Sequence, residues 1–262
     1  MNIHDLPRNL QALLARGAWQ TISTGASGAQ VFRIIRPDAP ACYLKMAVPP
    51  LQEELLAEKE RLEWLQDRLP VPGVIAFSTD GRRAYLLLSE IPGLEACDAT
   101  FAQEITTVVR LLAEGLRLIH RVEIVHCPFD QRLTSKIAQA RKRVAAGLVD
   151  VSDFDEQRKG KRADELFELL LASRPDVKEV VFTHGDYCLP NILIDPSAAS
   201  ISGFIDWGRA GIADRYQDLA LAARSLTYNF GPGWEPLFWE AYGLQTVDGA
   251  RIEFYQLLDE FF

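Results

Sequence analysis

Residues 183–191 read THGDYCLPN and residues 204–208 read FIDWG, and these two stretches are the most informative in the chain. Each lies beside short apolar runs that are typical of β-strands. Asp186 and Asn191 are five residues apart in the first stretch, and Asp206 follows the apolar pair of the second. Carboxylate and amide oxygens are suitable ligands for magnesium, and phosphate and water supply its remaining ligands. The two stretches therefore predict a site for a magnesium-bound phosphate compound.

The apolar runs at residues 192–194 and 203–205 predict two strands that pair as a hairpin. In such a hairpin Asn191 and Asp206 lie side by side at the open end, although the length of the connecting loop does not fix that register. Asp186, which has no metal assigned to it, is then free to accept a proton from an attacking hydroxyl. The spacing of Asp186 and Asn191 is that of the catalytic Asp and metal-binding Asn of kinases. Together the motifs favour phosphoryl transfer over a chance set of turn residues.

The amino-terminal part of the chain is rich in predicted strands. Short β-type runs separated by turn residues predict an antiparallel meander, followed by one helix with leucines at helical spacing and by two more strands. The predicted strands are residues 19–24, 31–35, 42–46, 74–78 and 84–89, and the predicted helix is residues 51–69.

The sequence Glu90-Ile-Pro-Gly93 interrupts this pattern, and beyond it the chain is mainly helical. One apolar stripe runs from Phe101 to Ile119 at helical spacing. Further helices are predicted near residues 131–146, 163–172, 214–227, 234–242 and 248–260, with strand-like sequence only at 180–206. The change predicts an α+β protein with two lobes that meet near residue 90.

Glu58 lies on the apolar stripe of the first predicted helix, where a buried carboxylate is costly unless a cation pairs with it. Lys45, near the end of the third strand, is the predicted partner. A strand lysine that pairs with a helix glutamate and reaches the nucleotide phosphates is a required kinase element. Glu60 points away from the stripe and is the weaker candidate. The alternative for Glu58 alone is a carboxylate that reaches the surface.

Residues 25–28, Gly-Ala-Ser-Gly, lie between two predicted strands. Their backbone N–H groups and the Ser27 hydroxyl could fold over phosphates, although a plain hairpin turn has the same composition. The chain lacks the Gly-Lys-Ser/Thr of a P-loop, which excludes that fold as the phosphate binder.

Composition limits the partners and the compartment. The 262 residues carry a formal charge of −8, which disfavours nucleic acid and favours a cationic ligand. Four widely spaced cysteines, the lack of a secretion signal and the lack of a long apolar run predict a cytoplasmic protein that does not enter a membrane.

The motifs at 184–191, Phe-Ile-Asp-Trp-Gly-Arg-Ala-Gly at 204–211 and the terminal Leu-Leu-Asp-Glu-Phe-Phe resemble the aminoglycoside 3′-phosphotransferases, closest to their type II subgroup. The resemblance covers nearly the whole chain. It implies a two-lobed, protein-kinase-like α+β fold with an antiparallel-sheet amino-terminal lobe, residues 1–89, a hinge, residues 90–97, and a mainly helical lobe, residues 98–262. ATP would bind with two magnesium ions.

The resemblance also implies roles for individual residues. Asp186 would be the catalytic base, and Asn191 and Asp206 would hold the metal ions. The nucleotide would be bound by Ser27 at the β-phosphate, Lys45 with Glu58 at the α- and β-phosphates, Tyr43 on the adenine face, and the backbone of Ser89 and Ile91 at its edge.

On the substrate side, the resemblance implies carboxylates that bind the ammonium groups of a kanamycin- or neomycin-type antibiotic. The matching positions are Asp155, Glu156, Arg209, Arg224, Asp259, Glu260 and the α-carboxylate of Phe262. The chain departs from the family after Arg224, where Asp-x-x-Glu-Glu or Ser-x-x-Glu-Asp stretches are replaced by Ser225-Leu-Thr-Tyr-Asn229.

Two alternatives stay open at this point. One is a kinase of the same fold that acts on a macrolide, choline or another metabolite, which leaves the acidic tail unexplained. The other is a nucleotide-binding pseudokinase, against which the intact Lys45, Glu58, Asp186, Asn191 and Asp206 argue. A monomer is expected, with a weak dimer as the alternative.

Overall fold

The computed structural model describes residues 3–22, 29–49, 51–177 and 179–262. The chain forms two compact units. The amino-terminal unit comprises residues 1–94, 193–198 and 202–209, and the carboxyl-terminal unit comprises residues 95–192, 199–201 and 210–262.

A five-stranded antiparallel sheet forms the amino-terminal unit, in the order β1-β2-β3-β5-β4. The strands are β1 (Ala18–Ile22), β2 (Gln30–Arg36), β3 (Ala39–Ala47), β4 (Val74–Thr79) and β5 (Ala84–Ser89). The predicted meander is confirmed, and most of the strands differ from their predicted ends by a residue or more.

Strand β3 shows how one face of the sheet joins an apolar cluster. Cys42, Leu44 and Met46 alternate along the strand and are buried in an apolar cluster, so Tyr43 and Lys45 point to the opposite face. A short helix, α1 (Arg8–Leu14), packs its buried leucines into the same cluster. The face that carries Lys45 is not wholly polar, because Leu86, the cross-strand partner of Lys45 on β5, is buried there.

Helix α2 (Gln52–Leu65) buries Leu55, Leu62 and Leu65 together with Glu58. It ends before the predicted residue 69, because the chain leaves the helix at Gln66. Helix α2 lies against the turn Trp207–Arg209 of the same unit.

The described residues form five more strands, all of them short. Strands β6 (Leu94–Glu95), β8 (Ile192–Asp195) and β9 (Ser200–Phe204) form a sheet in the order β6-β8-β9, and β7 (Val181–Thr183) pairs antiparallel with β10 (Gly211–Ala213). The predicted hairpin partners β8 and β9 are therefore neighbours. Strand β10 was not predicted, because two of its three residues, Gly211 and Ala213, are small and are not typical of strands.

The helices of the carboxyl-terminal unit are α3 (Ile105–His120), α4 (Leu133–Ala145), α5 (Ala163–Ala172), α6 (Tyr216–Phe230), α7 (Glu235–Tyr242) and α8 (Gly249–Asp259). All were predicted, although Phe101 falls in a separate turn before α3. Helix α3 packs against α7, and α6 packs against α8. None of the helices in the described ranges is long and apolar enough to cross a membrane.

Candidate active site

The loop after β7 holds Asp186 and Asn191 together. The Asn191 side-chain amide donates hydrogen bonds to the backbone oxygen of Asp186, 2.9 Å, and to its Oδ2, 3.0 Å. Asp186 is half-buried and Asn191 is buried. Because the Asn191 nitrogen faces Asp186, the amide oxygen is directed elsewhere and has the chemistry of a magnesium ligand.

A buried carboxylate on helix α6 fixes the start of this loop. Asp218 is fully buried; its Oδ2 accepts the backbone N–H of His184 and its Oδ1 accepts that of Gly185, both at 2.8 Å. Hydrogen bonds from N–H groups offset the cost of burying the negative charge. Asp186 follows directly after these two residues, so the Asp218 carboxylate sets where the Asp186 backbone begins.

His120, at the end of α3, supports the same carboxylate. Its Nε2 lies 3.1 Å from Oδ2 of Asp218, and its Nδ1 lies 2.7 Å from the Tyr242 hydroxyl. Because a carboxylate oxygen accepts, the His120 ring donates from Nε2 to Asp218. Helices α3, α6 and α7 are thereby tied to the loop through polar contacts.

Three charges meet within the amino-terminal unit. The Lys45 ammonium lies 2.6 Å from Oε1 of Glu58 and also contacts the Asp206 carboxylate. Although burial opposes it, the charges of Asp206 and Glu58 raise the pKa of Lys45 above its ordinary value. Burial, and then Asp206, raise the pKa of Glu58 despite the neighbouring lysine. One cation therefore serves two carboxylates.

Asp206 has a backbone conformation that is uncommon for its residue type. Its φ angle is 64°, in the left-handed region, which costs a non-glycine residue about 1–3 kcal/mol. The buried Trp207 side chain next to it donates from Nε1 to the Phe204 oxygen, 2.9 Å, and so holds the chain on both sides. The Asp206 side chain is 45% exposed, which leaves its carboxylate accessible to a cation.

An acidic and basic network surrounds the carboxyl terminus. The buried guanidinium of Arg158 contacts the Asp155 carboxylate and lies 3.2 Å from Oε1 of Glu260. Arg224 contacts Asp259, and its Nη1 is 3.8 Å from Oε1 of Glu260. Burial and then Asp155 raise the pKa of Glu260 to about 7, against the pull of the two arginines.

The network extends electrostatically to Asp186. Burial lowers the pKa of Arg224, but the charges of Asp259, Glu260 and Asp186 raise it overall. The charge of Arg224 therefore interacts with the carboxylates of Asp186, Asp259 and Glu260. Within the carboxyl-terminal unit the structure brings these predicted residues together.

The last residue is held by cations. Lys136 is buried, with its Nζ 3.5 Å from the centre of the Phe262 ring. The Nε of Arg143 donates to the Phe261 oxygen at 2.5 Å. These contacts restrict the position of Phe262.

Comparison with known proteins places this geometry in a family. The model of the phosphotransferase enzyme family, APH, matches residues 18–255. The chain belongs to this phosphotransferase family.

Relatives of this phosphotransferase are aminoglycoside-modifying enzymes. It is 39% identical over 254 residues to an aminoglycoside 3′-phosphotransferase of Streptomyces fradiae, covering 93% of this chain and 95% of that protein. A crystal structure of an aminoglycoside-3′-phosphotransferase of type VIII is 36% identical, with a TM-score of 0.90 and 99% coverage of both chains. An aminoglycoside phosphotransferase APH(3″)-Id from Streptomyces rimosus, in complex with ADP and streptomycin, is 29% identical, with a TM-score of 0.81 over 96% of this chain and 95% of that one. The predicted fold class and enzyme class are confirmed.

Three other predicted site residues of the phosphotransferase lie on elements already described. Tyr43 shares a face of β3 with Lys45. The backbone N–H of Ser89 donates to the Gly73 oxygen, 2.9 Å. A backbone hydrogen bond from Ser89 to an adenine edge would therefore use the Ser89 carbonyl oxygen. Arg209 ends the turn after Asp206.

The remaining predicted site residues are Ser27, Ile91 and Glu156. Ser27 lies outside the described residues. Ile91 packs beside Gly203, where a Cβ would come within 2.7 Å of the isoleucine side chain. The Glu156 side chain is 88% exposed and pairs with Lys159 at 2.9 Å, so it does not join the network around Glu260.

Sequence reasoning missed Asp218, Arg158 and Lys136. Asp218 ends the run Ala213-Asp-Arg-Tyr-Gln-Asp218, but two of its three partners are backbone groups, which no sequence pattern identifies. Arg158 follows Asp155 by three residues, a spacing that could have suggested their ion pair. Lys136 shows no such signal, because its aromatic partner lies at the far end of the chain.

Replacing Asp218 with Asn tests the role of this carboxylate. The amide nitrogen would face a backbone N–H of His184 or Gly185, and a buried donor without an acceptor costs about 1–3 kcal/mol. We expect a lower thermal midpoint and a fall in kcat of about tenfold or more, since 1.4 kcal/mol corresponds to tenfold. Asp248→Asn, which exchanges one good helix cap for another, is the control. Wild-type kcat in Asp218→Asn would contradict the assignment.

The Lys45 ion pairs predict a pH-dependent stability. Without the lysine, Glu58 and Asp206 face each other, so the pKa of Glu58 rises further above its ordinary 4.5. A carboxyl with a raised folded-state pKa stabilises the fold at low pH, and this stability is lost as the pH rises through that pKa. Lys45→Met should therefore lose about 3–5 kcal/mol at high pH and recover part of it near pH 5.

Thermal unfolding between about pH 5 and pH 8 measures this effect. The double variant Lys45→Met/Glu58→Gln should show a flatter pH profile, since the buried carboxyl is gone. Parallel profiles for the single and double variants would show that Glu58 does not titrate in this range.

Proposed function

We propose that the chain is an aminoglycoside 3′-O-phosphotransferase that transfers the γ-phosphoryl group of ATP to the 3′-hydroxyl of kanamycin- and neomycin-type antibiotics and so confers resistance. The observation that carries the proposal is the arrangement of the loop after β7. Asp218 fixes the backbone just before Asp186, and the Asn191 amide contacts the Asp186 carboxylate. The likeness to aminoglycoside 3′-phosphotransferases over nearly the full length supports the same acceptor.

On the nucleotide side, Lys45 binds the α- and β-phosphates. Its partners Glu58 and Asp206 hold its ammonium at the end of β3. Tyr43, two residues earlier on the same face, stacks on the adenine, and the backbone of Ser89 and Ile91 binds the adenine edge. Ser27 approaches the β-phosphate. The ADP in the Streptomyces rimosus structure supports nucleotide binding.

Asn191 and Asp206 are the proposed ligands for two magnesium ions. Both side chains present an oxygen, and the amide nitrogen of Asn191 is already engaged by Asp186. Bound magnesium would neutralise phosphate charge. Asp186 accepts the proton of the attacking hydroxyl, for which its Oδ2 is oriented by the Asn191 amide.

The substrate side is the acidic network at the chain end. Aminoglycosides carry several ammonium groups, and carboxylates bind them through charge-assisted hydrogen bonds. We assign this binding to the carboxylates of Asp155, Asp259, Glu260 and the terminus of Phe262, with the exposed Glu156 as a further ligand. Arg209 and Arg224 are assigned to the substrate side as well. Arg158 and Arg224 already neutralise part of the charge, which keeps the carboxylates in place before a ligand binds.

A second acceptor has support from one neighbour. The Streptomyces rimosus enzyme is a 3″-phosphotransferase by name and holds streptomycin. A streptomycin arm therefore belongs in any test of the acceptor.

Coupled ADP release with magnesium-ATP tests the proposal. Turnover is expected with kanamycin and not with tobramycin, which lacks the 3′-hydroxyl. Asp186→Ala should lose turnover, because Asp186 is the proposed acceptor of the hydroxyl proton, while magnesium-ATP still binds in calorimetry. Turnover with streptomycin only would move the acceptor to another hydroxyl, and no turnover with any drug would favour a metabolite kinase of the same fold.

A further inference from the structure

Helix α6 holds the catalytic loop at a second point. The backbone N–H of Leu189 donates to Oγ of Ser225 at 2.9 Å, and both residues are buried. Ser225 and Asp218 are seven residues apart, which is about two helical turns and places both on one face of α6. One rigid helix therefore holds the loop before Asp186 and after it.

The Ser225 contact lies next to the proposed metal ligand. Leu189 opens a single turn of 3₁₀-helix that ends at Asn191, and the N–H of Asn191 donates to the Cys188 oxygen at 3.0 Å. A shift of the Leu189 amide would move this turn as a unit, because its backbone is closed by hydrogen bonds. The side chain of Asn191 would move with it, away from Asp186.

Asn229 braces the serine. Its side-chain nitrogen donates to the Ser225 backbone oxygen at 2.8 Å and lies 3.3 Å from the Ser225 hydroxyl oxygen. With N–H donors from Leu189 and Asn229, the hydroxyl oxygen acts as an acceptor and its own hydrogen points away from both. An aspartate at position 229 would have no side-chain N–H to donate, and its carboxylate would repel the Ser225 backbone oxygen.

We propose that Ser225 is a positioning residue for the phosphoryl transfer, that it sets the position of Asn191 through the Leu189 backbone, and that Asn229 orients its hydroxyl. The proposal rests on the proposed function, in which Asn191 is a magnesium ligand. It also gives position 229 a structural role, because this chain braces the catalytic loop with an amide in a segment where the family carries acidic stretches.

Three variants test the proposal. Ser225→Ala removes the acceptor of the Leu189 N–H, and Asn229→Asp keeps the size of the side chain but removes its donor. Thr227→Ala is the matched control, because Thr227 is exposed on the same helix and donates to Glu235, away from the loop. Each variant is assayed for kcat, for the KM of kanamycin and for the magnesium concentration that gives half-maximal rate.

For Ser225→Ala we expect kcat to fall about tenfold or more, and the magnesium requirement to rise by a similar factor, since one hydrogen bond to a buried amide corresponds to about tenfold. The KM of kanamycin should change by less than about threefold, because no proposed ammonium ligand is touched. Asn229→Asp should act in the same direction and less strongly, and Thr227→Ala should match the wild type. An unchanged magnesium requirement in Ser225→Ala, or equal changes in all three constants, would overturn the proposal.

Hydrogen exchange separates this proposal from the proposed function. In Ser225→Ala the Leu189 amide and its neighbours in the loop should exchange about tenfold faster than in the wild type, whether or not the protein turns over kanamycin. Unchanged exchange at Leu189 would overturn the positioning role. Absence of turnover in the wild type would instead overturn the proposed function.

Discussion

The Asp218 carboxylate is buried among helices, where an ionised group is stable only if its oxygens accept enough hydrogen bonds. Two of those bonds come from the backbone of His184 and Gly185 and one from the His120 ring. The loop supplies hydrogen bonds that stabilise the buried Asp218 carboxylate, and the same hydrogen bonds fix the position of the loop. Asp186 and the turn that carries Asn191 follow from that position.

The same principle organises the amino-terminal unit. Lys45 on β3, Glu58 on α2 and Asp206 after β9 come from three separate elements and meet because none of them is well placed without the others. With Asp206 in a left-handed backbone conformation, this cluster combines electrostatic and backbone strain, as sites built for a charged ligand commonly do. The buried polar contacts of this unit therefore involve the residues that are proposed to bind phosphate and magnesium.

Much of this could be predicted from sequence, for physical reasons. The helices have apolar stripes with a clear period, and the Lys45–Glu58 pair follows from a carboxylate on a buried stripe. The spacing of Asp186 and Asn191 is local and so is visible in the sequence. Partners that are distant in sequence were not predictable: Arg158 meets Glu260 across 102 residues, and Ser225 and Asp218 act on backbone groups that every residue has.

The position of the phosphate on the product tests the central claim most directly. Kanamycin incubated with the enzyme and magnesium-ATP can be examined by proton–phosphorus correlation NMR. The account predicts that the phosphorus couples to the proton on carbon 3′. Coupling to a proton at any other ring position would contradict it, because the network around the chain end would then present a different hydroxyl to Asp186.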